Sequence, residues 1–261
     1  MFFGVPLVML VAYSLGQIDI ITFNVQWGWT LDSYGRVFEA LYLTAIGRSL
    51  LLSAGATIVC LLVGFPVAHH IALARGRRQL VLLLAVMVPF WTSFLVRTYA
   101  MTNVLADGGP IATVYGWLGG GSLGLLYSPA AILVGIVYSY LPLMILPLYV
   151  ALERIDPRLR EAAFDLGANS RRALLRVTVP LATPGIVAGC ILVGVPSTGE
   201  YVIPQILGGG KVLMYGNVVA DQFQNTGEYP FGAALSVSLM AVLTVVVLVA
   251  RRGAARRQVT L

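Results

Sequence analysis

Few side chains in this sequence are equipped for covalent chemistry, and their spacing assembles no catalytic set. The two cysteines, Cys60 and Cys190, both fall inside apolar runs. There a thiol reads as a small buried residue, and the pair forms neither a disulfide framework nor a metal site. His69 and His70 are adjacent, with no third ligand near in sequence, and read as anchors at the end of an apolar run. The sequence has no Gly-x-x-x-x-Gly-Lys-Ser/Thr run to cradle phosphates and no Ser, His and Asp arrangement. What remains is Glu200, the one acid deep in an apolar run, with Tyr201 beside it. That carboxylate, with Tyr201 and with Trp91, Tyr99 or Tyr138, could hold an ammonium by charge and cation–π contact. A competing reading pairs Glu200 with Arg97, the one Arg or Lys deep within an apolar run, or makes it a gate or a contact to another chain. Both readings point to recognition and passage of a solute, not to bond making.

The elements that position these residues follow from composition. Of 261 residues, 58% are hydrophobic and 11% charged, where a soluble domain carries about 25% charged. A soluble chain this apolar would lack the polar surface to cover its core. An ordinary cytosolic enzyme, a disordered chain and a fibrous repeat are therefore excluded. The class is all-α, a polytopic transmembrane helical bundle. A spanning helix needs about 20 apolar residues. Runs at about 1–15, 46–73, 80–105, 129–152, 184–207 and 231–250 predict six spans in one domain, 1–261. The first run has no basic residue before it, which favours a span trimmed at its cytoplasmic side over a signal peptide.

Charge placement sets the expected orientation. The net charge is +6, and thirteen Arg fall in residues 74–79, in 153–183 and at the C-terminus. Arg36, Lys211 and, near a span edge, Arg48 fall on the other side. Cytoplasmic loops hold the Arg/Lys excess, so the Arg-rich side and both termini are expected in the cytoplasm. The basic balance is then topological and implies no nucleic acid. Asp19, Asp32, Glu39, Asp107, Asp221 and Glu228 lie in the outer stretches, as solvated charge or as an attraction for cations. Trp27, Trp29 and Tyr34 read as an interfacial belt or a docking surface. Gly64, Pro66, Pro89, Pro142, Pro147, Pro196 and Pro204 predict bends, either simple kinks or helices that line a path. Glu200 sits fourteen residues beyond Ile186, about 21 Å along a helix. That places it in the outer half of a roughly 30 Å core, and Pro196, Gly199 and Pro204 predict irregular backbone around it.

The segment 153–183 carries the strongest pattern. Asp156 can cap a helix with Pro157 as its first residue, and Gly167 fits the position after it, where positive φ is needed. Ile155, Leu159, Ala162, Ala163 and Leu166 recur at helical spacing, with alanines that permit close approach. Asn169 or Ser170 can cap a second helix, Arg171–Val177, before Pro180 and Pro184 end it. The plain alternative is a solvated loop with helical turns.

This segment resembles a known signature: Glu-Ala-Ala, three residues, Gly, nine residues, then aliphatic, any residue, aliphatic, Pro. Here it is Glu161-Ala162-Ala163, Asp165 within the gap, Gly167, then Val177-Thr178-Val179-Pro180, with Val179 where Leu is usual. It is the EAA loop of permease subunits in ATP-binding cassette importers, and its place between the fourth and fifth runs also fits. The stretches from Trp29 to Tyr34, Val88 to Ala100, Gly199 to Pro204 and Leu207 to Lys211 look like spermidine/putrescine-type permeases, the first of the two.

The resemblance implies a type I importer permease in a bacterial inner membrane. Its partners would be a second, homologous permease, two copies of a cytoplasmic ATPase and an extracytoplasmic solute-binding protein. Glu161, Ala162, Ala163, Asp165, Gly167 and Pro180 would couple ATPase closure to the spans. ATP and Mg would belong to the ATPase, with no cofactor on this chain, which would be no enzyme. The solute expected is a polyamine. Alternatives are another small organic solute or a ferric chelate, a membrane-embedded enzyme, and a stand-alone channel or secondary transporter.

Overall fold

The computed structural model describes residues 4–18, 25–26, 28–117 and 124–258. Asp19 and Trp27 lie outside them. Three helices are long and apolar enough to cross a bilayer without interruption: Ala40–Leu73, Pro129–Glu153 and Tyr229–Gln258. Two further candidates are bent pairs. Arg77–Trp91 meets Phe94–Trp117 at 91°, and Ser170–Leu181 meets Thr183–Thr198 at 67°. By length and composition this makes three spans, or five if each bent pair is one. The helix in the first run is Gly4–Ser14, only 11 residues, about 16 Å long and half of a roughly 30 Å core. The described residues thus hold three to five candidate spans and, in the first run, one shorter apolar helix.

Proline and glycine explain where the helices depart from the runs. Pro89 cannot donate to the ladder and crowds the carbonyl four residues back. The helix Arg77–Met87 accordingly tightens into a 3-10 turn, Val88–Trp91, and Thr92 is extended before Phe94–Leu105 begins. The fifth run also divides: Thr183–Thr198 stops before Gly199, and Val202–Leu207 restarts beyond it. The second run's helix starts early, at Ala40 rather than 46. Stretches expected as loops contain helices as well: Asp32–Val37, Pro110–Trp117 and Tyr215–Gln224. A two-residue antiparallel ladder pairs Gln17 with Gln26 and Ile18 with Val25, a small departure from an all-helical chain.

The chain gathers into two compact units. The first joins Met1–Leu52, Leu105–Ile132 and Thr198–Leu248. Its core includes Tyr42, Ala45, Tyr215, Phe231, Ala234 and Leu235, with the Tyr42 and Phe231 rings edge to face at 5.0 Å. Arg36 pairs with Glu228 at 2.8 Å and lies over the Phe231 ring at 4.0 Å.

The second unit joins Ser53–Val104, Leu133–Ser197 and Val249–Leu261. Its core includes Cys60, Ala68, Ile71, Met144, Ile145, Leu148 and Val193. Here helices touch through small residues. A Cβ on Gly185 would overlap that of Ala151 and stand 2.6 Å from the Pro147 carbonyl oxygen. On Gly189 it would stand 2.6 Å from Met144 Sδ. These two glycines are four apart on Thr183–Thr198, the small-xxx-small spacing that lets helix backbones meet in lipid. Ser53 Oγ donates to the Gly194 carbonyl at 2.8 Å and shares a 2.6 Å hydrogen bond with Ser197. Packing here rests on backbone proximity and hydroxyls because lipid supplies no hydrophobic drive between helices.

Replacing Gly185 with Val should cost about 1–3 kcal/mol, the usual penalty for overpacking a filled core. A lowered thermal unfolding midpoint of the detergent-solubilised protein checks it. An unchanged midpoint would contradict the close packing.

Candidate functional site

The segment 153–183 folds locally, from its own sequence. Asp156 Oδ1 accepts the Arg158 N–H at 2.9 Å, and Pro157 is the first residue of the helix Pro157–Asp165. At the far end Gly167 has φ +80°. The Gly167 N–H reaches the Phe164 carbonyl and the Ala168 N–H the Ala163 carbonyl, both at 2.9 Å. This is the paired Schellman closure, which needs a left-handed residue at that point. Asn169, rather than Ser170, makes the next cap: its Oδ1 accepts the Arg172 N–H at 2.8 Å.

The second helix runs further than expected. Ser170–Ala173 passes through a π turn, Leu174–Thr178, into Val179–Leu181. Pro180 therefore does not end it. The widened turn comes just before the proline, where a normal turn would press the ring on a carbonyl.

No residue of the helix Pro157–Asp165 is buried. Glu161, Ala162 and Asp165 are exposed, as are the apolar Leu159 and Phe164. Leu166, just beyond, is 89% exposed. Grouped exposed apolar side chains mark surfaces that meet another protein or a membrane. At the root of this loop, Gln79 Nε2 donates to the Tyr149 hydroxyl at 2.9 Å and to Glu153 Oε1 at 2.8 Å. The Tyr149 hydroxyl donates to the same oxygen. Three side chains thereby fasten the start of Arg77–Met87 to the last turn of Pro129–Glu153, immediately before the loop. Sequence reasoning missed this group, because nothing local links residue 79 to 149.

The second candidate is the break at Glu200, which is 7% exposed. Its Oε1 accepts the Tyr201 N–H at 3.1 Å and the Val202 N–H at 3.0 Å. The carboxylate therefore caps Val202–Leu207, satisfying donors that the break would leave open. On the other side of the break, Asn217 Nδ2 donates to the Tyr201 carbonyl at 2.9 Å. A Cβ on Gly216 would stand 2.5 Å from the Gly199 carbonyl oxygen and 2.7 Å from that of Glu200. Only glycine lets the helix Tyr215–Gln224 lie so close. Tyr215 anchors it: its N–H donates to Ser49 Oγ at 2.7 Å and its hydroxyl to the Leu235 carbonyl at 3.1 Å. Burial pushes the Tyr215 phenol up to about 12, so it stays a neutral donor.

Glu200 and Tyr201 belong to the first unit, whereas Trp91, Arg97, Tyr99 and Tyr138 belong to the second. Trp91, Tyr99, Tyr138 and Tyr201 are all exposed. Arg97 is 8% exposed, its guanidinium lies 5.3 Å from the Phe90 ring centre, and its Nε has no acceptor among the described residues. His69 stacks on Phe65, and no three potential metal ligands gather among the described residues.

At Gly167 no atom lies within 4 Å of where a Cβ would sit, so any cost of substitution is purely conformational. Gly167→Val should weaken the closure by about 1–2 kcal/mol, the left-handed penalty. Amide exchange at Ala168 should then quicken by about fivefold to thirtyfold. Unchanged exchange would show that the turn is not what holds the helix end.

Comparison with known proteins places this geometry. A family described as binding-protein-dependent transport system inner membrane component matches residues 60–259. The spermidine/putrescine transport system permease protein PotB of Escherichia coli (strain K12) is 37% identical over 251 residues, covering 95% of this chain and 91% of that protein. PotB of Haemophilus influenzae is 40% identical over 226 residues, covering 86% and 79%. A crystal structure of a bacterial alginate ABC transporter, in complex with an alginate pentasaccharide-bound periplasmic protein, has a chain that superposes with a TM-score of 0.70 at 18% identity. That match covers 98% of this chain and 89% of the other, and it carries the fold alone. The chain belongs to the family of binding-protein-dependent transport system inner membrane components.

Proposed function

We propose that this chain is one of two different permeases in an ATP-driven importer of small cationic amines of the spermidine and putrescine class. The observation that carries the amine reading is Glu200, a buried carboxylate at the break of an apolar helix, with Tyr201 beside it. Relatives named for spermidine and putrescine transport support the same substrate class. An acid in that setting is costly unless it faces a cavity or a partner, and an ammonium is such a partner. The solute-binding protein delivers the amine from outside, and the second permease completes the path. Two ATPase copies, carrying ATP and Mg, dock on Glu161 to Gly167 and on the turn towards Pro180. Their closure drives alternating access as a two-state movement. Both termini and the segment 153–183 face the cytoplasm, following the Arg-rich side.

A second reading has one observation in its favour. Arg97 Nε is buried without an acceptor among the described residues, which suits an anionic solute or a ferric chelate. Competition for uptake among amines, phosphonates and ferric chelates separates the two.

Glu200→Gln keeps an oxygen for the Tyr201 and Val202 amides and removes only the charge. A hydrogen bond to a charged group is worth about 1.5–3 kcal/mol. The variant should therefore need at least about tenfold more amine to stimulate ATPase in the reconstituted complex. A wild-type response across amine concentrations would remove the acid from the mechanism. For Gly167→Val, membrane insertion should persist while ATP-driven uptake is lost. Normal uptake would remove the coupling role.

A further inference from the structure

The first unit contains a cavity of about 420 Å³ between the start of Ala40–Leu73, the segment beyond the break and the helix Tyr215–Gln224. Its polar lining includes Tyr42, Tyr201, Gln205, Asn217, Asp221 and Gln224. The volume is within the range of small-molecule sites, roughly 300–1,000 Å³. Asp221 is the one charged residue in the lining, which has no Lys, Arg or His. Arg48 reaches its rim, donating to the Leu213 carbonyl at 3.4 Å. Carboxylate and amide oxygens accept hydrogen bonds, and phenol rings offer a face to a cation. An ammonium is all donor. The lining itself, with Asp221 as its one charge and Arg48 only at the rim, is therefore complementary to an amine.

Two residues of the lining are also hydrogen-bonded around the buried acid. Tyr201 lines the cavity and donates its N–H to Glu200 Oε1. Asn217 lines it and holds the Tyr201 carbonyl, while its Nδ2 also reaches Gln205 Oε1 at 3.3 Å. An amine in the cavity is thus in contact with the two residues that fix the backbone around Glu200.

We propose that this cavity is a loading site for a primary alkylammonium, the protonated end of a short diamine or polyamine, with Asp221 as its counter-charge. The site is separate from Glu200 and linked to it through Tyr201 and Asn217. The proposal rests on the amine reading given above and adds to it a separate station.

The test uses the whole reconstituted complex in lipid nanodiscs, with Gln224→Cys as a reporter at the cavity and a thiol-reactive quaternary ammonium as the label. Putrescine at about 10 mM should slow labelling about tenfold if the site binds it with a Kd of about 1 mM. Adding Asp221→Asn should abolish that protection, Asp221→Glu should retain it, and 1,4-butanediol, of the same length but uncharged, should protect neither form. Absence of protection in the Gln224→Cys complex, equal protection by the diol, or protection that survives Asp221→Asn overturns the loading site. Uptake of labelled putrescine by the same complex is measured in parallel. Uptake without protection removes only this station; protection without uptake keeps it and overturns the importer reading.

Discussion

A backbone amide that leaves its helix inside a hydrocarbon layer must find another partner, because no water is there to take it. That constraint organises the most informative part of this protein. The helix Thr183–Thr198 ends and Val202–Leu207 begins after a gap of three residues. The amides at the restart go to the Glu200 carboxylate, and the Tyr201 carbonyl goes to Asn217. One Glu200 oxygen thereby completes the backbone at the break. The same pairing explains why a whole helix, Tyr215–Gln224, folds down onto the gap and why Gly216 stands at the contact.

Elsewhere the helices are held by closeness rather than by specific charge. Gly185 and Gly189 bring Thr183–Thr198 against Pro129–Glu153, and serines stitch Ala40–Leu73 to Thr183–Thr198. Packed cores shift between discrete arrangements rather than deforming smoothly. The hydrogen bonds among Gln79, Tyr149 and Glu153 extend that fastening to the start of Arg77–Met87. Meanwhile the loop's own apolar side chains, Leu159, Phe164 and Leu166, remain uncovered among the described residues.

What could be read from the sequence was what is encoded locally. Asp156, Pro157 and Gly167 define a cap, a first turn and a left-handed stop within a dozen residues, and each stands where that chemistry places it. The irregular backbone around Glu200 was also legible, from Pro196, Gly199 and Pro204. Features built by distant residues were not. Tyr215–Gln224 lay in a stretch with enough Gly and polar residues to pass as a loop, and its helix depends on Ser49, Leu235 and the break itself. The close-packing pair Gly185 and Gly189 is visible as a spacing, but only the partner helix reveals that it is used. The π turn before Pro180 escaped for a related reason: a proline signals an end to a helix, and the wider turn is a way around it.

In the proposed importer the short helix Pro157–Asp165, with its exposed end at Leu166, receives motion from a nucleotide-hydrolysing partner. The direct measurement is a crosslink from Leu166→Cys to single cysteines across the face of the ATPase in the intact complex, with and without ATP. An efficient crosslink is expected, to a limited set of positions that changes when nucleotide is bound. A cysteine there that never reaches the ATPase, in either state, would contradict it.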